Sequence, residues 1–593
     1  MRTQPDRRAR NGVGAVVLGA LLGVSAPAGG AILRVGSSVV DCQATTIAAA
    51  FAMASASPEA DEIRLTRSLT YTNVGIFLSD WDGGVSGDLL VSGGWDDCLD
   101  PTPSGRTLLT AAADGIVFEI AESGASEFGL SLELRDLEIT GGNTGVTIAG
   151  RGFGGGPDGT PANVYLLRTH LRANEHGAAV ADGAALTVGL GSEVRENVPV
   201  HPLGRYGAGL ICVDPGSVLG IEGAVEQNVV TGSPGTGGGI YAPDGCELLL
   251  SPGARIVANQ AVEGGGIYLA GGSSATGGGN GTAEALVAQN SAVNGGGILA
   301  AGATTTATFQ NVRIEGNHGF AGAGVLVRSG ATVTHQRSQL AIRGCFGAPR
   351  CSTLSGNVID GGGTNEGSAV HVSGGGTFRM FGGFLEQNSG IGDFGEMIVV
   401  KGAGSAIEME GVQIWNNRSR AIFYAIDSGS LTAGFVTVAA NSFFDPNASI
   451  YVDSFGGEAI LGGQIGIFTS IYKNHQQFIQ GGGGTEINVD CLILETTTGT
   501  TSAGANMLGV DPLFVDAANG NLRLGPGSPA VDACDTLVYT PAYLDYDLDV
   551  RGLDTPSVPD TLGPYDRGAD EFVLLFASSF ETGTFAGWDL VMP

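Results

Sequence analysis

The sequence is short of charge, and above all of positive charge. Lysine and arginine number 28 among 593 residues, against 59 aspartates and glutamates, for a formal net charge of −31. Such a chain offers no basic surface to phosphate backbones or anionic lipid, which argues against nucleic-acid binding. Past the N-terminal segment no stretch has the roughly 18 continuous apolar residues of a membrane helix, so no transmembrane span is expected. The eight cysteines include no CxxC pair and no Cys/His zinc spacing, and the seven histidines form no HExxH. Glycine is plentiful (101 residues), yet there is no Gly-X-Y period, which excludes collagen. With 43% apolar residues, the glycine does not signal disorder either.

What is present is a repeat. Ile256-Val257-Ala258-Asn259 leads to Gly264-Gly265-Gly266-Ile267-Tyr268, and Val287-Ala288-Gln289-Asn290 to Gly295-Gly296-Gly297-Ile298-Leu299. Asn197, Asn228, Asn259 and Asn290 are each 31 residues apart. The series also takes in Asn174, Asn317, Asn357, Asn388 and Asn417, with Asn441 a weaker member. A unit this short cannot bury its own apolar face, but stacked on its neighbours it encloses a continuous core. Short β-branched strands broken by glycine make the unit β rather than helical. The expected fold is all-β: a single-stranded right-handed parallel β-helix with an N-terminal helix-containing cap and a C-terminal capping region. In such a stack an asparagine at one corner bonds to those above and below, forming a ladder. Gly271–Gly281 and Arg343–Arg350 are expected to be loops at coil corners.

The termini suggest an address. Arg2, Arg7, Arg8 and Arg10 precede an apolar Val13–Val24 and small residues at Ala28 and Ala31, the order of a secretory signal over 1–31. Residues 32–110 read as the cap and first coils, with a helix over Cys42–Ala54, 111–510 as the β-helix, 511–573 as a closing region and 574–593 as a tail. An even number of cysteines in an exported chain favours disulfides. The sequential pairing is Cys42–Cys98, Cys212–Cys246, Cys345–Cys351 and Cys491–Cys534.

The N…GGGI(Y/L) repeat resembles that of bacterial polymorphic outer-membrane proteins and related surface proteins of the pectin-lyase fold. Asp511-Pro512-Leu513-Phe514, Leu522-Arg523-Leu524, Ser528-Pro529-Ala530-Val531-Asp532, Asp549-Val550-Arg551-Gly552 and Asp566-Arg567-Gly568-Ala569-Asp570-Glu571 follow one another in the order of the "choice-of-anchor" region of exported β-helix proteins. Arg567 stands where that region usually has an apolar residue. The resemblances imply a secreted or cell-surface protein, at a bacterial outer membrane or outside the cell. Its expected partners are extracellular carbohydrate or envelope components.

Catalysis on such a scaffold needs converging ionisable groups. A glycosidase requires two positioned carboxyls, for which Glu408 with Glu410 and Asp393 with Glu396 are the candidates. A lyase requires a base and cations, and Arg343, Arg350, Arg379 and Lys401 are scattered singly. Asn317-His318-Gly319 only partly matches a GHG element, and Asp96-Asp97 lies in the cap. No residue is therefore assigned a catalytic role. The expected function is non-enzymatic adhesion or envelope interaction, with a polysaccharide lyase or glycoside hydrolase as the alternative. Ca²⁺ is the one cofactor with a candidate site: strand alternation would turn Asp545, Asp547 and Asp549 to one side as hard oxygen ligands. Those aspartates capping turns and pairing with Arg551 is the competing reading. If Ca²⁺ is held there, chelation lowers the melting temperature; an unchanged melt removes the site.

Overall fold

A coil of three short strands gains a core only from the coils stacked on it, so side-chain alternation has to agree from coil to coil. The structure, a computed structural model, describes residues 30–573 apart from 57–59, 80–87, 113–114, 122–130, 151–161, 201–205, 234, 279–282, 338–351, 361–366, 391–394, 444–449, 454–463, 469, 473–477, 481–485, 495–504, 536–543, 546–548, 556–557 and 560–561. It is a right-handed parallel β-helix with three rows of strands. Row one stacks Glu247–Leu250, Ser274–Gly278, Thr306–Gln310 and Thr332–Gln336 in parallel without a shift of register. Row two stacks Ala224–Glu226, Arg255–Val257, Ala285–Ala288 and Val312–Glu315. Row three, a 14-stranded sheet among the described residues, includes Ile240–Asp244, Ile267–Leu269, Ile298–Ala301 and Val325–Arg328. Leu248, Ala275, Ala307 and Val333 from row one meet Ile256, Val287 and Ile314 from row two and Ile267, Ile298 and Val325 from row three in one buried cluster.

The Gly271–Gly281 stretch departs from expectation. Ser274–Gly278 is a row-one strand, paired Ser274 to Thr306 and Ala275 to Ala307, with Ala275 buried. Its Ser-Ala-Thr alternation has the strand period, hidden by the glycines on either side. Arg343–Arg350 lies outside the described residues.

The corner between rows two and three holds ten asparagines in register, from Asn174 to Asn441. Asn259 is typical. Its Nδ2 donates to Asn290 Oδ1 at 3.0 Å and to Val225 O at 2.9 Å. Its Oδ1 accepts both the backbone N–H and the Nδ2 of Asn228, at 3.1 and 2.9 Å. The same pattern links Asn197, Asn228, Asn290, Asn317, Asn357, Asn388 and Asn417 to their successors. These amides are buried, where an unpaired polar group costs about 1–3 kcal/mol. The residue before the asparagine turns the corner in the left-handed region, and it is usually not glycine: φ is +56° at Ala258 and +55° at Gln289.

The glycine triplet serves the next step. Gly264 has φ of +63°, a conformation glycine adopts without penalty. Its two followers are required by proximity. A Cβ on Gly265 would lie 2.5 Å from Ser291 O, and one on Gly266 would lie 2.6 Å from Gly297 O and 2.9 Å from the ladder nitrogen of Asn290.

Both ends are closed. Helix α1 runs over Ile47–Ala54, starting later than expected because Ala44 bridges Val35. Thr46 caps it, Oγ1 accepting from Ala49 N at 3.2 Å, while Ile47, Ala50, Phe51 and Ala54 cover the core. Cys42–Cys98, Cys212–Cys246 and Cys491–Cys534 are disulfides with Cα–Cα distances of 5.4, 5.9 and 5.9 Å. The last fastens the final coil to the closing region. Cys345 and Cys351 lie outside the described residues, as do the signal-like segment up to residue 29 and the tail 574–593. No helix among the described residues is long and apolar enough to cross a membrane.

Asn259→Ala strips partners from Asn228 N, Asn228 Nδ2, Val225 O and Asn290 Oδ1 at once. It should cost about 3 kcal/mol or more in chemical denaturation, the penalty for stranding several buried groups. Asn294→Ala, on the half-exposed outside of the next coil, should change stability by about 0.5 kcal/mol or less.

Candidate functional site

The carboxylates that alternation puts on one side of a strand do not form a catalytic pair. Glu408 and Glu410 flank the buried Met409 on the strand Ala406–Trp415. Glu408 is half-exposed and pairs with Arg379, Oε2 to Nε at 3.2 Å. Glu410 is fully buried, and a Cβ on its neighbour Gly411 would lie 3.5 Å from the Arg551 guanidinium. The closing region thus seals Glu410 from any substrate while Glu408 stays outside. Glu396 is buried against Arg420, Oε1 to Nη1 at 3.1 Å, and Asp393 lies outside the described residues.

The remaining candidates are dispersed. Asp96 is bonded by Arg67 Nε and Ser104 Oγ in the cap, and the adjacent Asp97 accepts from Leu99 N at 2.7 Å. Lys401 sits on row three between Ser373 and Ile426, and Arg343 and Arg350 are outside the described residues. His318, at the ladder corner, has Nδ1 3.1 Å from both carboxylate oxygens of Asp360. At the first coil a cleft of about 560 Å³ is lined by Ile47, Phe51, Leu69, Tyr71, Val74 and Leu78, with threonine hydroxyls and no acid or basic group.

Ionisable groups converge in two places. On row two His170, Arg172, Arg195, Glu138, Glu193 and Glu196 form a partly exposed network of ion pairs. The other convergence is buried in the closing region, in the motif that resembles an anchor domain. Arg551 is buried, donates to Gly568 O and Ala569 O at 3.2 and 2.9 Å, and lies over the Phe435 ring at 4.2 Å. Glu571 Oε2 approaches it at 4.0 Å, and Glu571 Oε1 accepts from Gly552 N and Leu553 N. Asp566 accepts from Asp532 N and Phe572 N, Asp532 from Thr555 N, and Asp570 from Leu524 N. These backbone N–H groups, together with Arg551, are what make burial of so many carboxyls tolerable. Burial still dominates: it pushes Glu571 up to about 8 and Asp566 up to about 7, with the nearby carboxylates adding to the rise.

This cluster clamps the closing region to the solenoid. Arg567, the departure from the anchor-like pattern, reaches across to Leu492 O, Ala505 O and Ala533 O at 3.2, 3.0 and 3.2 Å. Ala569 N donates to Thr437 Oγ1 at 2.9 Å, and Trp415 Nε1 to Ala517 O at 3.0 Å. Row two is therefore covered at its last coils. In the sequence the clamp could be suspected only from the spacing of Asp532, Arg551, Asp566 and Glu571, which carries no hint of what Arg551 or Arg567 touches.

The calcium candidates belong to this region. Both oxygens of Asp545 accept backbone N–H groups, Oδ1 from Asp549 at 2.7 Å and Oδ2 from Glu571 at 2.9 Å. Asp547 lies outside the described residues, and no group of three or more metal-type ligands occurs among the described ones. What Asp545 does there is close a turn and face Arg551, whose charge it helps to offset.

No protein-family model matches the sequence, and no curated protein matches it.

The clamp should be sensitive to pH. Glu571 and Asp566 hold their protons to higher pH when folded than when unfolded, so the folded state carries the extra protons. Their contribution is full below about pH 4 and is lost as pH rises through 7 to 8. Hydrogen exchange over 545–573 should be faster at pH 8.5 than at pH 5 once corrected for the intrinsic rate, and Glu571→Gln should flatten the difference. His335 works in the opposite sense. Buried in the core, with Nε2 2.9 Å from Val312 O, it is pushed down to about 4, so the solenoid body loses stability as pH falls from about 6.5 towards 4.

Proposed function

We propose that the protein is an exported scaffold without catalytic function, displayed on or released from a bacterial cell, whose outward strand faces serve adhesion or envelope interaction. The observation that carries this reading is the distribution of ionisable groups. Among the described residues outside the clamp they stand singly, in neutralised pairs such as Arg379–Glu408, or in one network on row two, where Arg172 and Arg195 neutralise Glu138, Glu193 and Glu196 beside His170. Inside the clamp they are sealed from solvent. Row one is long, regular and open to solvent along its middle coils, the form of a surface that binds rather than reacts. The disulfides suit an oxidising compartment. The signal-like N-terminus and the anchor-like closing motif point the same way, and the acidic charge favours a soluble, non-sticking surface.

A second reading, a carbohydrate-active enzyme, draws on the His318–Asp360 pair. A carboxylate on Nδ1 orients an imidazole as it would a general base.

The test is a panel of neutral and acidic polysaccharides together with outer-membrane fractions. Retention of the protein on one of them, with no new reducing ends and no unsaturated uronate absorbance, is the expected result. Cleavage of any polysaccharide, abolished by His318→Ala, would replace this reading by the second.

A further inference from the structure

Row one carries a feature that neither the fold nor the clamp requires. Over three consecutive coils two of its outward columns are hydroxyls, beside a third of Gly278, Gln310 and Gln336. Ser274, Thr306, Thr332 and Thr377 are register partners in the first, which continues into a fourth coil, and Thr276, Thr308 and Thr334 in the second. Their strands stack without a bulge, so the surface is flat and doubly periodic, about 4.8 Å from coil to coil and roughly 6.7 Å between alternate residues of one strand. Threonine is stiff about χ1, so methyls and hydroxyls repeat with the backbone.

These hydroxyls are also free. Among the described residues none of the seven side chains bonds to another protein group, and all are partly or fully exposed. Corner hydroxyls behave differently: Thr305 Oγ1 donates to Ala301 O at 2.8 Å and Ser405 Oγ to Lys401 O at 2.7 Å. The patch is uncharged in a chain of formal charge −31, and its columns reach their first charges only at Glu247 on one side and Arg379 on the other. Charged side chains impose their own hydration shells, whereas a neutral grid of hydroxyls and methyls leaves water to follow the repeat of the grid. The two columns hold no aromatic ring on which a sugar could stack.

We propose that this face, from Ser274 to Thr377, binds ice. The two repeats lie close to oxygen spacings on the faces of hexagonal ice, and a rigid grid presents them without paying for order on binding. The occupant is a water lattice, selected by periodicity and neutrality, and the inference stands apart from the envelope reading.

The mature protein should inhibit ice recrystallisation and be taken into growing polycrystalline ice. Thr308→Lys, placing an ammonium at the centre of an exposed column, should abolish both effects with the melting curve unchanged. Glu226→Lys on row two, away from the patch, should preserve them. Exclusion of the folded wild-type protein from ice to the same degree as an unrelated soluble protein would overturn the proposal, as would full activity in folded Thr308→Lys. Polysaccharide retention is read in a separate assay, so failure here is distinguishable from failure of the adhesion reading.

Discussion

The buried asparagine amide is the constraint that shapes each coil. A primary amide in the core has two donors and an acceptor with two lone pairs, and each of the four unmade bonds would be penalised at low dielectric. Stacked in register, one amide's oxygen takes two N–H groups from the coil before it, while its own nitrogen reaches a carbonyl of that coil and the next amide. The corner residue must then be left-handed, as Ala258 and Gln289 are, and the glycines after it must lack side chains to let the ladder nitrogen of the following coil approach. The repeat therefore reads as one device: a turn, a bonded amide and a bare backbone leading into row three. Coil length can vary without harm, because insertions between Asn317 and Asn357 leave the bond between them at 3.0 Å.

Charge is handled differently along the chain. Through the solenoid, most acidic residues lie partly exposed and meet arginines in surface pairs or, on row two, in a small network, arrangements worth little to stability. At the C-terminal end they are gathered, buried and given to backbone N–H groups around Arg551. The first arrangement leaves the outer faces free for contact. The second turns a segment with few regular strands into a fixed cap, through contacts such as Ala569 to Thr437 that join the closing region to the solenoid.

The ladder and the row-three strands were legible in the sequence because their chemistry is local and periodic. A fixed side chain at Asn228, Asn259 and Asn290 can do one thing, and it recurs. The strand at Ser274–Gly278 was hidden because flanking glycines imitate a loop. Glu408 and Glu410 illustrate a different limit: alternation places both carboxylates on one side, but only the docking of a segment more than 130 residues later buries one of them. The clamp was illegible for the same reason, since the partners of Arg567 at Leu492 and Ala505 are set by packing and not by any spacing.

The central claim is that coils are coupled through adjacent amides and not through a general contribution of asparagine at that corner. A double-mutant cycle measures it most directly: Asn228→Ala with Asn259→Ala, against Asn228→Ala with Asn388→Ala, followed by chemical denaturation. The ladder predicts a coupling of about 1 kcal/mol or more for the adjacent pair and additivity within about 0.5 kcal/mol for the distant one. Additive behaviour of the adjacent pair would contradict it.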